Sequence, residues 1–184
     1  MTHIVVAPHP DDEWIGCGCT ILKARSKGEK VKILIVTEIP RTTPRVEKSK
    51  RLAKEHGVKV SVLGEEEQGI AAGRLAKFLL KEVSKGDVIY VPDYDTHPDH
   101  QIVHKTCVET LREYNLVSYA VYNNSLNLFV RGYHRLLELF TGRGYPSFRR
   151  HRIQKRNKFS LSVKNHHIQV YTEKPRDADV LRKI

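Results

Sequence analysis

The chain has 184 residues, enough for one substantial hydrophobic core and too few for two comfortable domains. Apolar residues make up 40% of it beside a net charge of +11, which argues against disorder, and no apolar run reaches the roughly 20 residues of a membrane span. The N-terminus has no basic segment ahead of its short apolar run, so no secretory leader is expected and cytoplasmic residence is the default.

Residues 3–7 read as a short buried strand. A helix is expected over 16–27, with Ile21, Leu22 and Ala24 apolar and Gly28 ending it. Val, Ile and Leu nearly fill 31–36, a second strand. Thr43 as cap and Pro44 in the first turn open a helix that runs to about His56, where Gly57 stops it. The third strand, 58–63, is less apolar and belongs nearer a sheet edge. A loop rich in glutamate (Glu65, Glu66, Glu67) leads to a helix through Leu79 and Leu80 that ends at Gly86. A fourth strand over 88–92 follows. Pro98 then fits the first turn of a helix that carries Ile102, Val103 and Cys107 inward to about Tyr114, before a fifth strand over 117–122.

Strands separated by helical segments of roughly 10–15 residues imply βαβ units. Right-handed crossovers then give a three-layer, Rossmann-like α/β fold, a mostly parallel sheet with helices on both faces. Beyond Asn124 the pattern weakens: a helix over 126–140, a loop over 142–146, a strand over 159–163 and a helix over 164–171. The chain therefore reads as a single domain, 1–184, with a core of about 1–124 and residues 125–184 as an extension of it.

Cys17, Cys19 and Cys107 cannot close a disulfide framework, and they lack the second Cys pair of a thiolate metal site. They are expected to be reduced packing groups. Positive charge peaks at Arg149, Arg150, His151 and Arg152, followed by Lys155, Arg156 and Lys158. Such a field favours an anionic partner, an anionic group on a substrate included, although a solvated lysine-rich surface has the same composition. Nucleic acid is the less favoured partner, because only Phe148 and Phe159 are interleaved there as stacking aromatics.

Two polar clusters carry the chemistry. His9-Pro10-Asp11-Asp12-Glu13 follows the first strand, and Asp93-Tyr94-Asp95-Thr96-His97-Pro98-Asp99-His100 follows the fourth. In the strand order 3-2-1-4-5 those strands are neighbours, so both clusters meet at the carboxyl edge where open α/β sheets bind ligands. His9, Asp12 and one imidazole of the second cluster form a set that suits a catalytic zinc and also non-haem iron, with positions left for water and substrate. Such an ion lowers the pKa of a coordinated water from about 15.7 to about 7. Asp11, beside Asp12, is placed to accept that proton. Taken singly, an Asp-Asp pair caps helices and His97 and His100 fit the exposed start of a helix; their conjunction favours a metal site. His100 and His104 stand at i, i+4, but Gln101 occupies the place where a His-Glu-x-x-His site needs glutamate. His166 and His167 fit either the surface or the site.

His9-Pro10-Asp11-Asp12-Glu13 with Gly16-Cys17-Gly18, and His97-Pro98-Asp99-His100 about ninety residues later, resemble the LmbE/PIG-L family of zinc-dependent de-N-acetylases of N-acetylglucosamine-containing substrates. The resemblance covers roughly residues 3–122. It implies His9, Asp12 and His100 as ligands of one Zn²⁺ per chain, with Fe²⁺ or another divalent ion as the alternative. It implies Asp11 as general base, His97 as oxyanion stabiliser or acid toward the leaving amine, Asp99 orienting or tuning His97, and Glu13 holding the motif loop. The implied reaction removes an acetyl group from the amide nitrogen of an N-acetylated amino sugar.

Departures from the family pattern are local. Cys19 stands where a second glycine is common, the loop 38–44 lacks the usual glycines, and Glu47 is out of register with an expected glutamate. Arg45 matches an arginine used near substrate; Trp14 fits a wall of the sugar pocket or the core equally well. The tail matches loosely, at Lys164, Tyr171 and Asp177. The chain is short for the family, so self-association into a homo-oligomer would supply missing pocket walls. The rival readings are a metal-dependent hydrolase of another amide or of a phosphoester, and a catalytically idle basic binding module.

Overall fold

A computed structural model of the chain describes residues 1–40 and 42–121 with their side chains, and the backbone of two strands over 157–163 and 166–172. The elements are β1 (Thr2–Ala7), α1 (Asp12–Ser26), β2 (Lys30–Thr37), α2 (Thr43–Glu55), β3 (Lys59–Glu65), α3 (Ala72–Glu82), β4 (Val88–Pro92), α4 (Pro98–Thr110), β5 (Asn115–Tyr119), β6 (Asn157–Val163) and β7 (His166–Thr172). The first five strands form one parallel sheet in the order β3-β2-β1-β4-β5. β1 is central, with His3 opposite Val31 of β2 and Val88 of β4. β3, the least apolar strand, is an edge, as its composition implies.

Side chains alternate across the sheet, so each strand feeds two cores. Val5, Ile33, Ile35, Tyr90, Val117 and Tyr119 pack with Trp14, Cys17 and Ile21 of α1 and Leu52 and Ala53 of α2. On the other face Ile4, Val6, Leu34, Val36, Ile89 and Val91 pack with Leu75 and Leu79 of α3 and Val103 and Cys107 of α4. The three-layer α/β architecture expected from the sequence is the one observed. No helix among the described residues is long and apolar enough to cross a membrane.

Three boundaries differ from expectation in ways that matter. α1 begins at Asp12 rather than Gly16, because Asp11 takes φ 101° and ψ −25° and turns the chain straight from the loop into the helix. The Asp11 carbonyl accepts from the amides of Trp14 and Ile15, so the acidic residues of the first cluster are the helix's first turn. There the positive end of the helix dipole favours carboxylates. α2 is capped at Thr42 rather than Thr43; the Thr42 hydroxyl closes a turn with Ile39 instead of bonding the helix amides. β5 lies at Asn115–Tyr119, three residues short of the expected end at 122.

In the tail, β6 forms where a strand was expected, but the helix expected over 164–171 is instead β7, paired antiparallel to β6. Ile168, Val170 and Thr172 recur at every second position, a period of two with β-branched residues that suits a strand once β6 pairs with it. The expected helix over 126–140, the loop over 142–146, the basic residues from Arg149 to Arg156, and Lys164 and Asp177 lie outside the described residues.

Candidate metal centre

The loop after β1 is tied down from the neighbouring strand. Thr37, at the end of β2, donates both its amide (3.0 Å) and its hydroxyl (2.8 Å) to the Pro8 carbonyl. His9 follows, its amide donating to Asp12 Oδ2 at 2.9 Å. After β4, the Asp93 amide donates to the Tyr119 carbonyl at 2.6 Å, and Asp95 Oδ1 accepts the His97 amide at 2.8 Å. His97 caps α4: its Nδ1 accepts the Asp99 amide at 3.2 Å, with Pro98 in the first turn. Each cluster is therefore anchored to the strand beside it, and β1 and β4 are paired.

These loops bring three imidazoles together. One nitrogen each of His9, His97 and His100 lies within 4.8 Å of the others, a cluster able to hold a divalent metal. Asp12 sits among them. Its Oδ2 is 3.2 Å from His9 Nδ1 and 3.2 Å from His100 Nε2. The far nitrogens meet carboxylates: His9 Nε2 is 2.9 Å from Asp99 Oδ2, and His100 Nδ1 is 2.7 Å from Asp95 Oδ2. Asp99 is itself fixed, its Oδ1 accepting the Gln68 amide at 2.8 Å from the β3–α3 loop.

The site's electrostatics follow from burial and these contacts. Burial opposes a charge on His100, but hydrogen bonds with Asp12 and Asp95 outweigh it and raise its pKa to about 10. His9 is raised in the same way, its contacts with Asp12 and Asp99 overcoming burial. Burial would push Asp12 up, yet its hydrogen bonds with His100 and His9 hold it well below the usual carboxylate range. His97 is lowered by burial and by the neighbouring imidazoles His9 and His100. Asp11 is raised to about 6 by burial and by the charge of Asp12, against the pull of Arg45. Glu13 rises to about 8, chiefly through burial.

Asp11 lies beside the cluster with its Oδ2 accepting from Arg45 Nη1 at 3.2 Å; the other arm of that guanidinium is 3.7 Å from Glu67. Glu13 is fully buried and holds the loop as expected, Oε2 accepting the Asp11 amide at 3.1 Å and Oε1 accepting the Ser49 hydroxyl. Asp99 touches His97 through its backbone, its amide donating to His97 Nδ1 at 3.2 Å, while its carboxylate meets His9 Nε2 at 2.9 Å. Of the two places open to Trp14, one falls away. Trp14 offers no wall to a sugar: it is 1% exposed in the core between α1 and α2, its indole donating to Ser49.

Asp95 and Ser49 were missed. Asp95 stands in the second cluster, but composition cannot tell it from Asp93 or Asp99. Ser49 is one small polar residue on a helix with no motif. His104 is buried with Nδ1 2.8 Å from the Pro92 carbonyl, which pins α4 to the end of β4. Residues 1–121 carry 18 Lys and Arg against 17 Asp and Glu, so nearly the whole positive excess belongs to residues 122–184.

A family profile described as "PIG-L: GlcNAc-PI de-N-acetylase" matches residues 4–111, more than half of the chain. The chain belongs to the PIG-L family. Among solved structures, this PIG-L-family chain is similar to the conserved protein TT1542 from Thermus thermophilus, at 25% identity and a TM-score of 0.56, covering 66% of each chain. It is also similar to the N,N'-diacetylchitobiose deacetylase from Pyrococcus horikoshii complexed with its inhibitor, at 19% identity and a TM-score of 0.53, over 99% of this chain and 68% of that one. A third match is a deacetylase triple mutant of the teicoplanin biosynthetic pathway, at 12% identity and a TM-score of 0.57, over 100% and 81%. The last two likenesses concern the fold. The chain spans about two thirds of the length of the first of these structures. No curated protein matches it by sequence. Membership of the PIG-L family and the three-imidazole cluster together support a metal-dependent hydrolase of the PIG-L/LmbE type.

Proposed function

We propose that the chain is a zinc-dependent hydrolase that removes the acetyl group from the amide nitrogen of an N-acetylglucosamine-containing substrate. The observation that carries this reading is the donor geometry around Asp12. Ligand atoms at about 2.0–2.1 Å in a tetrahedron stand about 3.3 Å apart, and both His9 Nδ1 and His100 Nε2 lie 3.2 Å from Asp12 Oδ2. Charge-assisted hydrogen bonds are shorter, at about 2.7–2.9 Å. On the far side of each ring such a short contact to a carboxylate exists, with Asp99 and Asp95 respectively. Those carboxylates hold the proton on the far nitrogen and turn the lone pair inward, as metal-ligating histidines require.

His97 is oriented the other way. Its Nδ1 accepts a backbone amide, so the neutral ring carries its proton on Nε2 and is a donor there. This favours His9, Asp12 and His100 as the ligands and His97 as a hydrogen-bonding acid. Iron(II) suits the same donor set. A bound ion of this kind supplies Lewis-acid polarisation of the amide carbonyl and makes water acidic near neutral pH.

The chain's own residues supply the rest. Asp11 takes the proton as the water oxygen bonds to the acetyl carbon. Arg45, against the same carboxylate, holds it in line. His97 Nε2–H donates to the former carbonyl oxygen as negative charge develops there. When the C–N bond breaks, acetate departs and the amine nitrogen gains the proton that Asp11 took from the water.

The test combines metal analysis with an amine-release screen over N-acetylated sugars, N,N'-diacetylchitobiose among them. We expect about one zinc per chain, amine and acetate released in equal amounts, and loss of turnover on chelation. Asp11→Asn should cut turnover about 10²- to 10⁴-fold with the metal retained. A fully active Asp11→Asn would remove the base from this account. Phosphate release without amine release would favour a phosphoester substrate instead.

A further inference from the structure

We propose that Ser49 of α2 is a positioning residue for Asp11, fixing the backbone of the base through the carboxylate of Glu13. The inference rests on the reading of Asp11 as proton acceptor. Among the described residues Asp11 and Gln68 are the two non-glycine residues with positive φ, and Asp11 at 101° lies where L side chains rarely settle. Its own side chain does not cap the helix it starts. The conformation must be held from outside.

The chain of contacts that holds it is continuous. The Asp11 amide donates to Glu13 Oε2 at 3.1 Å, and the Ser49 hydroxyl donates to the other oxygen of the same carboxylate. Ser49 in turn accepts from the Trp14 indole at 3.3 Å. Glu13, Ser49 and Trp14 are 0%, 5% and 1% exposed, so no bulk water can replace the serine hydroxyl if it is lost. With Ser49 on one oxygen, the freedom of the carboxylate to turn is reduced, and its other oxygen meets the Asp11 amide.

Arg45 stands four residues before Ser49 on α2, hence on the same helix face. It reaches the other end of Asp11, the side-chain Oδ2. One face of α2 therefore grips Asp11 twice, at the carboxylate through Arg45 and at the peptide through Ser49 and Glu13. α2 is itself anchored in the fold by buried Val46, Leu52 and Ala53. The aim of the base is set by a helix outside both polar clusters.

The test uses the metal-loaded full chain, with kcat, KM, metal content and the exchange rate of the Asp11 amide proton as readouts. Ser49→Ala should lower kcat about 10- to 100-fold, as a small misplacement of a reacting group does. KM and metal content should stay within about twofold of the parent, and Asp11 amide exchange should accelerate. Ser49→Thr, which keeps the hydroxyl, should recover most of kcat. Parental kcat and amide exchange in Ser49→Ala would overturn the proposal, as would equal losses in the alanine and threonine variants. Should Ser49→Ala fail to fold, the parent enzyme still decides: its Asp11 amide must exchange slowly, and exchange at the rate of an exposed peptide would overturn it. Asp11→Asn run alongside separates the two levels. An active Asp11→Asn sinks the role of the base; an inactive one beside a fully active Ser49→Ala sinks only the role of Ser49.

Discussion

Gly16→Ala tests the packing that supports the first cluster. A Cβ at Gly16 would overlap Tyr119 Cδ2, lie 2.6 Å from its Cε2 and 3.3 Å from the Ala120 carbonyl oxygen, well inside the roughly 3.5–4.0 Å of a comfortable contact. The ring cannot move aside freely: Tyr119 is 2% exposed and its hydroxyl donates to the Val6 carbonyl at 2.8 Å. Alanine gains about 1 kcal/mol of helix propensity over glycine. Overpacking of a buried site costs about 1–3 kcal/mol, and losing the tyrosine hydrogen bond about 1 kcal/mol more. The sum is a net loss of about 1–3 kcal/mol. For a chain of this size that lowers Tm by about 2–4 °C per kcal/mol, hence by several degrees. Thermal melts followed by circular dichroism measure it. In a Tyr119→Leu background the clash is relieved and Gly16→Ala should become neutral or mildly stabilising, so the two substitutions should be strongly non-additive. An unchanged or higher Tm for Gly16→Ala alone would refute the packing argument.

Two further expectations concern the metal centre. Asp95→Ala removes the carboxylate behind His100 Nδ1, and metal affinity measured by chelator competition should fall about 10- to 100-fold with the fold intact; unchanged affinity would remove Asp95 from the site. His97→Ala should lower kcat about 10²- to 10³-fold while metal content holds. Loss of the metal would instead put His97 among the ligands, in line with the three-imidazole cluster.

The sheet was legible because its strands are apolar runs bounded by Gly and Pro, and the central placement of β1 follows the common strand order of doubly wound α/β sheets. The start of α1 was not. Asp11-Asp12-Glu13 looks like loop by composition, and only the unusual backbone of Asp11 turns it into the first turn of a helix. The tail misled for a different reason. His166-His167-Ile168-Gln169-Val170 is short, and a run of that length fits a helix face or a strand until a partner strand is seen. Within the site, residue types disclosed the metal chemistry but not the pairing: that Asp99 serves His9, and that Asp95 serves His100, depends on how α4 is rotated against β1. Ser49 lies beyond what a motif can announce, since its contact with Glu13 is created by the docking of α2.

The pairing of β1 with β4 also has a kinetic side. His9 and Asp99, whose side chains meet, are 90 positions apart, so on a growing polypeptide the first handful of donors leaves the ribosome well before the second is made. Closing so long a loop is slow and precedes any reward from the contacts it creates. An unfinished chain would therefore offer free metal ions only a fragment of a grip, and tight capture would wait until β4 has joined β1.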